Sequence, residues 1–352
     1  MYRTAILYAL ASAVLFGAST PLAKILIGVI DPAVLAGVLY CGAGIGVALL
    51  RRLPARWVGG TDAAAATLRR ADMPWLAGAI LAGGLIGPLL LMFGLANTDA
   101  ATASLLLTLE GAATVLIAWF VFMEAFDRRI AIGMGLLVAG ALTLSWSGTP
   151  SLASLTGPAA IVGACVAWGL DNNLTRKISL ADPLQIVQWK GLVAGPINLS
   201  LGLWASGSLP GIGPGLLAAL IGFLGYGVSL ALFVLALRHL GAARTSAYFS
   251  TAPFIGAAVA IVALGEPLTL QFLAAGVLMA VGVWLHLTER HTHRHSHEPL
   301  RHTHSHTHDA HHQHQHDAGA PPGEPHTHSH AHGRLTHAHP HVPDMHHAHR
   351  HD

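Results

Sequence analysis

Long apolar runs recur along the chain, each about the length that crosses a bilayer. A hydrocarbon core of about 30 Å takes roughly 20 mostly apolar residues in a helix. Ten segments meet that requirement: residues 5–27, 33–50, 74–96, 100–122, 130–147, 157–175, 184–204, 214–236, 244–264 and 268–287. Helices satisfy their own backbone hydrogen bonds in lipid, so runs of this length predict helices rather than open strands. Turn signals divide them. Asp31-Pro32 separates the first pair, Gly148-Thr149-Pro150 the fifth from the sixth, and Asp182-Pro183 opens the seventh. Between spans three and four, and between nine and ten, only a few residues remain for the loop. The pattern predicts an all-α integral membrane protein of ten transmembrane helices.

Composition supports this. Hydrophobic residues make up 53% of the 352 and charged residues 10%, where a soluble domain carries about 25% charged. The charges are also segregated, with six of the 17 acidic residues after position 290. The formal net charge of +2 gives no indication of a nucleic-acid partner. Cys41 and Cys165 both fall in apolar runs, where a free cysteine behaves as a small hydrophobe, so neither a disulfide nor a thiolate metal site is implied. The N-terminal run lacks the short apolar core and small-x-small end of a cleaved leader, and reads as a first transmembrane helix.

Charge asymmetry predicts orientation. With the N-terminus inside, the cytoplasmic loops hold Arg51, Arg52, Arg56, Arg69, Arg70, Arg128, Arg129, Arg176, Lys177, Arg238 and Arg244, and the opposite loops hold no Lys or Arg. Both termini are therefore expected in the cytoplasm. Richness in Ala, Gly and Leu points to a bacterial inner membrane.

The chain repeats itself. A shift of 142 places Ser104 on Ser246, Glu124 on Glu266 and Gly140 on Gly282; a shift of 152 places Phe16-Gly17 on Trp168-Gly169 and Lys24 on Arg176. Five helices is an odd number, so the second copy must be inverted in the membrane, a recurrent transporter design with its site between the repeats. Residues 5–147 form the first repeat, 157–287 the second, and 288–352 a tail.

With these residues the chain resembles the EamA type of the drug/metabolite transporter superfamily. The resemblance rests on the aromatic-Gly pair early in each half, a basic residue seven further on, and the end of each fourth helix. There the second half reads Thr251-Ala252-Pro253 and Leu264-Gly265-Glu266-Pro267-Leu268-Thr269. The first half departs from the pattern, with Glu110-Gly111 where the family commonly shows a proline, and Met123-Glu124-Ala125-Phe126-Asp127. The resemblance implies a secondary carrier, often an exporter of small metabolites, working as a monomer or homodimer.

A charge inside the hydrocarbon costs at least about 2.5–3.5 kcal/mol on insertion scales, which makes it a functional candidate. Glu110, ten residues into the fourth span, is either a proton acceptor or cation ligand, or a carboxyl that pins helices together. Asp171-Asn172-Asn173, in the sixth span, offers several oxygens to a cation or polar solute. Asp171 stands at a depth where Lys190 of the seventh span could pair with it. Gln185, Gln188 and Trp189 extend that face. Lys24 either snorkels from the first span or borders the pathway. Glu124 and Glu266, at span ends, read as closing the turn into the next helix. Gly42-xxx-Gly46 and Gly83-xxx-Gly87 permit close helix approach. No phosphate loop or catalytic carboxylate pair appears, so the expectation is a carrier and not an enzyme.

After Arg290 the character changes. Residues 291–352 hold 23 of the 25 histidines, many as His-x-His. Candidate metal ligands are His291, His293, His295 and His297, then His302, His304, His306 and His308, then His326, His328, His330 and His332. Such a polar segment cannot bury a core and reads as disordered. Neutral imidazole suits nickel, cobalt, zinc and copper, so the tail is expected to bind transition metals without requiring a cofactor. Three functions follow. The first is proton-coupled efflux of a divalent metal such as nickel or cobalt, through Glu110, Asp171, Asn172 and Asn173. The second is export of amino acids or other small metabolites, the tail buffering metal. The third is a membrane-held metal store or sensor.

Overall fold

The computed structural model describes residues 2–52, 68–121, 128–146, 152–178, 181–206, 208–240, 245, 248–287, 291–297, 300–306, 326–332 and 335–341. Glu124, Arg244, His308 and the Gly148-Thr149-Pro150 turn lie outside these residues.

Among the described residues, ten helices correspond to the ten apolar runs. They are α1 (Tyr2–Ile27), α2 (Pro32–Leu50), α3 (Arg70–Ala96), α4 (Ala100–Phe120) and α5 (Arg128–Ser145), then α6 (Leu152–Arg176) and α7 (Pro183–Ser206). The eighth, α8, runs through Ile212–Gly222, Phe223–Val228 and Ser229–Leu240, followed by α9 (Ala252–Leu264) and α10 (Leu270–Leu287). By length and composition alone α1 to α4 and α8 each suffice to cross a bilayer; α6 and α7, of 25 and 24 residues, carry the polar residues of the candidate site. Asp31 caps α2 by accepting from the Ala33 and Val34 amides, and Asp182 accepts from the Leu184 amide at the start of α7. The two Asp-Pro breaks read from the sequence are thus both helix starts.

The helices are exchanged between the halves. The first helix of each half lies against the third and fourth of the other: α1 on α8 and α9, α6 on α3 and α4. Like helices meet across the same axis, α2 with α7, α4 with α9 and α5 with α10. This arrangement is that of two inverted five-helix repeats.

Glycine sets the closest crossings. Along α2 and α7 the pairs Gly37 with Leu199, Gly44 with Gly191, Cys41 with Gly195 and Val34 with Gly202 bring backbones so near that an added Cβ would collide. Gly17 of the aromatic-Gly pair abuts Ala252 and Gly256 of α9, and Gly169 abuts Ala113 and Thr114 of α4. Position 114 shifted by 142 is 256, so these two contacts are one contact repeated. Gly42 and Gly46 meet Ala219 and Phe223 of α8.

Two irregularities are also duplicated. The third helix of each half widens into π geometry, over Ile80–Ile86 in α3 and Phe223–Val228 in α8. The fourth is interrupted, α4 at Leu107-Thr108 and the region before α9 at Ser250-Thr251. Such departures leave backbone groups free for other partners and recur at functional sites.

Parts of the tail are among the described residues. Four strands, β1 (His291–His297), β2 (Leu300–His306), β3 (His326–His332) and β4 (Leu335–His341), form two antiparallel ladders, β1 with β4 and β2 with β3. The reason is in the pattern. His-x-His alternates with period two, which is strand periodicity, and the ladders are held by backbone bonds.

Candidate functional site

The polar residues singled out in α4, α6 and α7 converge. Asp171 is buried, with 8% exposure, and its carboxylate receives the Lys190 ammonium at 2.5 Å on Oδ1 and 2.8 Å on Oδ2. Thr175, one turn along α6, donates to Asp171 Oδ1 at 2.8 Å and accepts from Lys190 Nζ at 3.0 Å. All three ammonium protons of Lys190 thus have an oxygen to point at. The pair is possible because Gly83, inside the π segment of α3, has no side chain: a Cβ there would occupy the place of the Asp171 carboxylate.

Glu110 belongs to the same seam but a different bond. It sits in the first turn of the second piece of α4, and its Oε1 accepts from Asn172 Nδ2 at 2.9 Å. Asn172 also reaches Thr114 Oγ1 at 3.2 Å, and Thr114 donates to the Glu110 carbonyl at 2.8 Å. Asn173 turns the other way, donating to the Thr114 carbonyl at 3.0 Å and the Gly169 carbonyl at 2.8 Å. Asp171 and Asn173 are buried and Asn172 is exposed, so the three consecutive residues face an ion pair, a carboxylate and a neighbouring backbone respectively.

Lys24 bonds outside this cluster. Its ammonium bonds the Leu95 and Thr98 carbonyls, the latter at 2.8 Å, at the carbonyl end of α3, where a cation is favoured by the helix dipole. Glu266 works on the same turn from the opposite half. Its carboxylate accepts from the Ala100 amide at 2.8 Å and the Ala101 amide at 2.7 Å, capping α4. The turn-closing role read for Glu266 is therefore a bond between repeats. Gln188 accepts from Arg51 at 2.5 Å beside the Arg51–Asp182 ion pair, and Gln185 accepts from the Leu68 amide at 3.3 Å. Both belong to the bundle's edge.

Sequence reasoning noted Phe16 and Trp168 only beside their glycines and passed over Tyr40, Tyr226, Phe233 and Phe249. The Gly83 carbonyl, turned out by the π segment, accepts from Tyr40 Oη at 2.7 Å and Trp168 Nε1 at 3.0 Å. From Tyr40 a row of rings runs through Tyr226 (centroids 5.6 Å apart), Phe16 (5.9 Å), Phe249 (5.4 Å) and Phe233 (4.9 Å). The repeat carried a signal. Gly83 faces Asp171 and its counterpart Gly225 faces Ser19, and the shifts of 142 and 152 relate those positions.

The geometry describes a duplicated membrane bundle with one charged seam. A family model described as the EamA-like transporter family matches residues 3–146 and 155–288. The chain belongs to this family. The two matched stretches are the two repeats, and a transporter, multi-pass in the membrane, is what the family name covers. A protein of Methanothermobacter thermautotrophicus described as an uncharacterized transporter is 27% identical over 288 residues, spanning 77% of this chain and 82% of its own. A solved crystal structure superposes with a TM-score of 0.59 at 18% identity, covering 80% of this chain and 95% of the other, which shows the fold.

The expected metal ligands lie on the ladders: His291, His293, His295 and His297 on β1, His302, His304 and His306 on β2, His326, His328, His330 and His332 on β3. The register sets histidine against histidine, as in His293 with His339 and His304 with His328. In the bundle, among the described residues, no three His, Cys, Asp or Glu side chains converge as a metal would need.

Proposed function

We propose that this EamA-family carrier exports small solutes bearing both an ammonium and a carboxylate, with Glu110 linking the cycle to protons. The observation that carries the reading is the Asp171–Lys190 pair, largely buried between α6 and α7, with side-chain exposures of 11% and 14%. A zwitterion can exchange partners with such a pair, its carboxylate taking Lys190 and its ammonium taking Asp171, so no charge stays unpaired in a low-dielectric site. Glu110, one residue's reach away through Asn172, is the ionisable carboxyl beside the pair to which we assign the proton. Eleven basic residues in one set of loops and none in the other favour cytoplasmic termini in a bacterial inner membrane, with the tail at the entrance.

Export of nickel or cobalt is the second reading, and the histidine-on-histidine register of the tail favours it. It ranks second because the Lys190 ammonium holds the carboxylate a divalent ion would need. The test uses the full chain in proteoliposomes. Exchange of radiolabelled alanine or phenylalanine that is lost in Asp171→Asn and Lys190→Met, and that stops responding to a pH gradient in Glu110→Gln, supports the zwitterion carrier. Nickel or cobalt flux with no amino-acid exchange overturns it in favour of metal efflux, and nickel binding with no flux of either kind favours a store or sensor.

A further inference from the structure

The two halves share a scaffold but not a chemistry. The buried ion pair of Asp171 and Lys190, with Glu110 beside it, lies in the seam of α3, α4, α6 and α7. The counterparts of Asp171 and Glu110 are Ser19 and Ala252. The opposite seam, of α1, α2, α8 and α9, carries the rings instead. Tyr226, Phe249 and Phe233 correspond by the shift of 142 to Gly84, Leu107 and Leu91, none of them aromatic.

Tyr226 and Tyr40 pack against the buried core, but the row is not enclosed by it. Three helices and the segment before a fourth contribute to it: Phe16 from α1, Tyr40 from α2, Tyr226 and Phe233 from α8, and Phe249 from just before α9. That convergence sets it inside the bundle and not on the lipid face of one helix. Yet all five rings remain partly accessible, while the packed aliphatic core around Leu35, Leu39, Leu91 and Leu105 is fully buried. A wall of half-open rings, tilted or edge-on to one another at 4.9–5.9 Å, presents both ring faces and edges to whatever lies against it. The wall also ends at the charges. Tyr40 bonds the Gly83 carbonyl, and Gly83 is the residue whose missing side chain makes room for the Asp171 carboxylate.

We propose that this aromatic row is the specificity wall of the carrier and that its solutes carry a flat, π-bearing group next to their charged end. The inference rests on the zwitterion reading for the charged end and adds the other end of the solute. A solute with its ammonium and carboxylate at Asp171 and Lys190 has its side group directed past Gly83 onto Tyr40, Tyr226 and Phe16. Ring-on-ring contact and burial of a flat apolar group then favour aromatic over small aliphatic solutes. Tyr226 and Phe16 act as specificity residues; the ion pair does not discriminate among side groups.

The experiment measures exchange by the full-length chain in proteoliposomes with three radiolabelled probes: phenylalanine, alanine and phenethylamine. The expected result is a preference for phenylalanine over alanine of about tenfold or more, the scale a hydrophobic pocket provides. Phe16→Ala and Tyr226→Ala should bring the phenylalanine-to-alanine ratio toward one, and Phe16→Trp and Tyr226→Phe, which keep a ring, should restore it. Equal exchange of phenylalanine and alanine by the unmodified chain, or alanine variants that slow both alike, overturns the wall and leaves the zwitterion reading standing. Exchange of phenethylamine without either amino acid overturns the zwitterion reading and keeps the wall. No exchange of any probe overturns both.

Discussion

Replacing Lys190 by Met tests the charged seam most directly. The ammonium lies within 3.0 Å of three oxygens, both of Asp171 and that of Thr175, in a site where the two charged side chains are 14% and 11% exposed. Met has similar length and no charge, so packing is nearly conserved and the electrostatic loss dominates. Removing one partner of a buried pair costs about 3–5 kcal/mol because the other charge stays behind, whereas replacing both is often close to neutral. Thr175 still donates to Asp171 at 2.8 Å, which favours the lower end, about 3 kcal/mol. At roughly 2–4 °C per kcal/mol, the melting temperature of the detergent-solubilised protein should fall by about 6–12 °C. The double variant Asp171→Asn with Lys190→Met should recover to within about 1 kcal/mol of the parent. The assay is thermal unfolding followed by intrinsic tryptophan fluorescence for the parent, both single variants and the double. If the double variant loses the sum of the two singles, the groups are not energetically coupled and the pair is not the centre of the seam.

Glu266→Ala should strand the Ala100 and Ala101 amides and cost about 1–2 kcal/mol, with Glu266→Gln retaining part of it; the same melting measurement reads both. Gly83→Ala should abolish solute exchange while circular dichroism stays helical, because its Cβ would displace the Asp171 carboxylate. Gly135→Ala in α5 meets nothing within 4 Å and should be neutral to stabilising by up to about 1 kcal/mol. Deleting residues 291–352 should remove nickel binding in titration calorimetry and leave amino-acid exchange in place. In the full chain, nickel affinity should decline as pH falls below about 6, where ordinary imidazoles become protonated and cease to be ligands.

The helices were legible because lipid imposes one requirement on every span, and apolar length reports it. Their packing partners were legible only in part: the shifts of 142 and 152 related the halves, but that α1 docks on α8 and α9 is a property of the inverted axis. The Asp171–Lys190 pair was readable because two lone charges in hydrocarbon have few other solutions. Glu266 was read as a local turn because sequence proximity suggests local bonds, whereas its acceptors reach residues 165 and 166 positions away. Tyr40 and Tyr226 escaped notice because an aromatic in an apolar run looks the same whether it faces lipid, core or solute. The π segments had only the pairs of glycines as a trace.

The exchange of first helices between halves bears on how the chain is made. Ser12 of α1 and Ser229 of α8 bond each other's backbone carbonyls at 2.7 and 2.9 Å across 217 positions of sequence. At translation rates of about 5–20 residues per second, α1 spends roughly 10–40 s in the bilayer before its partner is synthesised. During that interval Ser12 and the bare backbone around Gly17 have no protein neighbour of the final kind. The nascent first half is thus a client for insertion factors and membrane proteases until the ribosome has delivered the second, and gene fragments encoding the halves should survive in cells together but not apart.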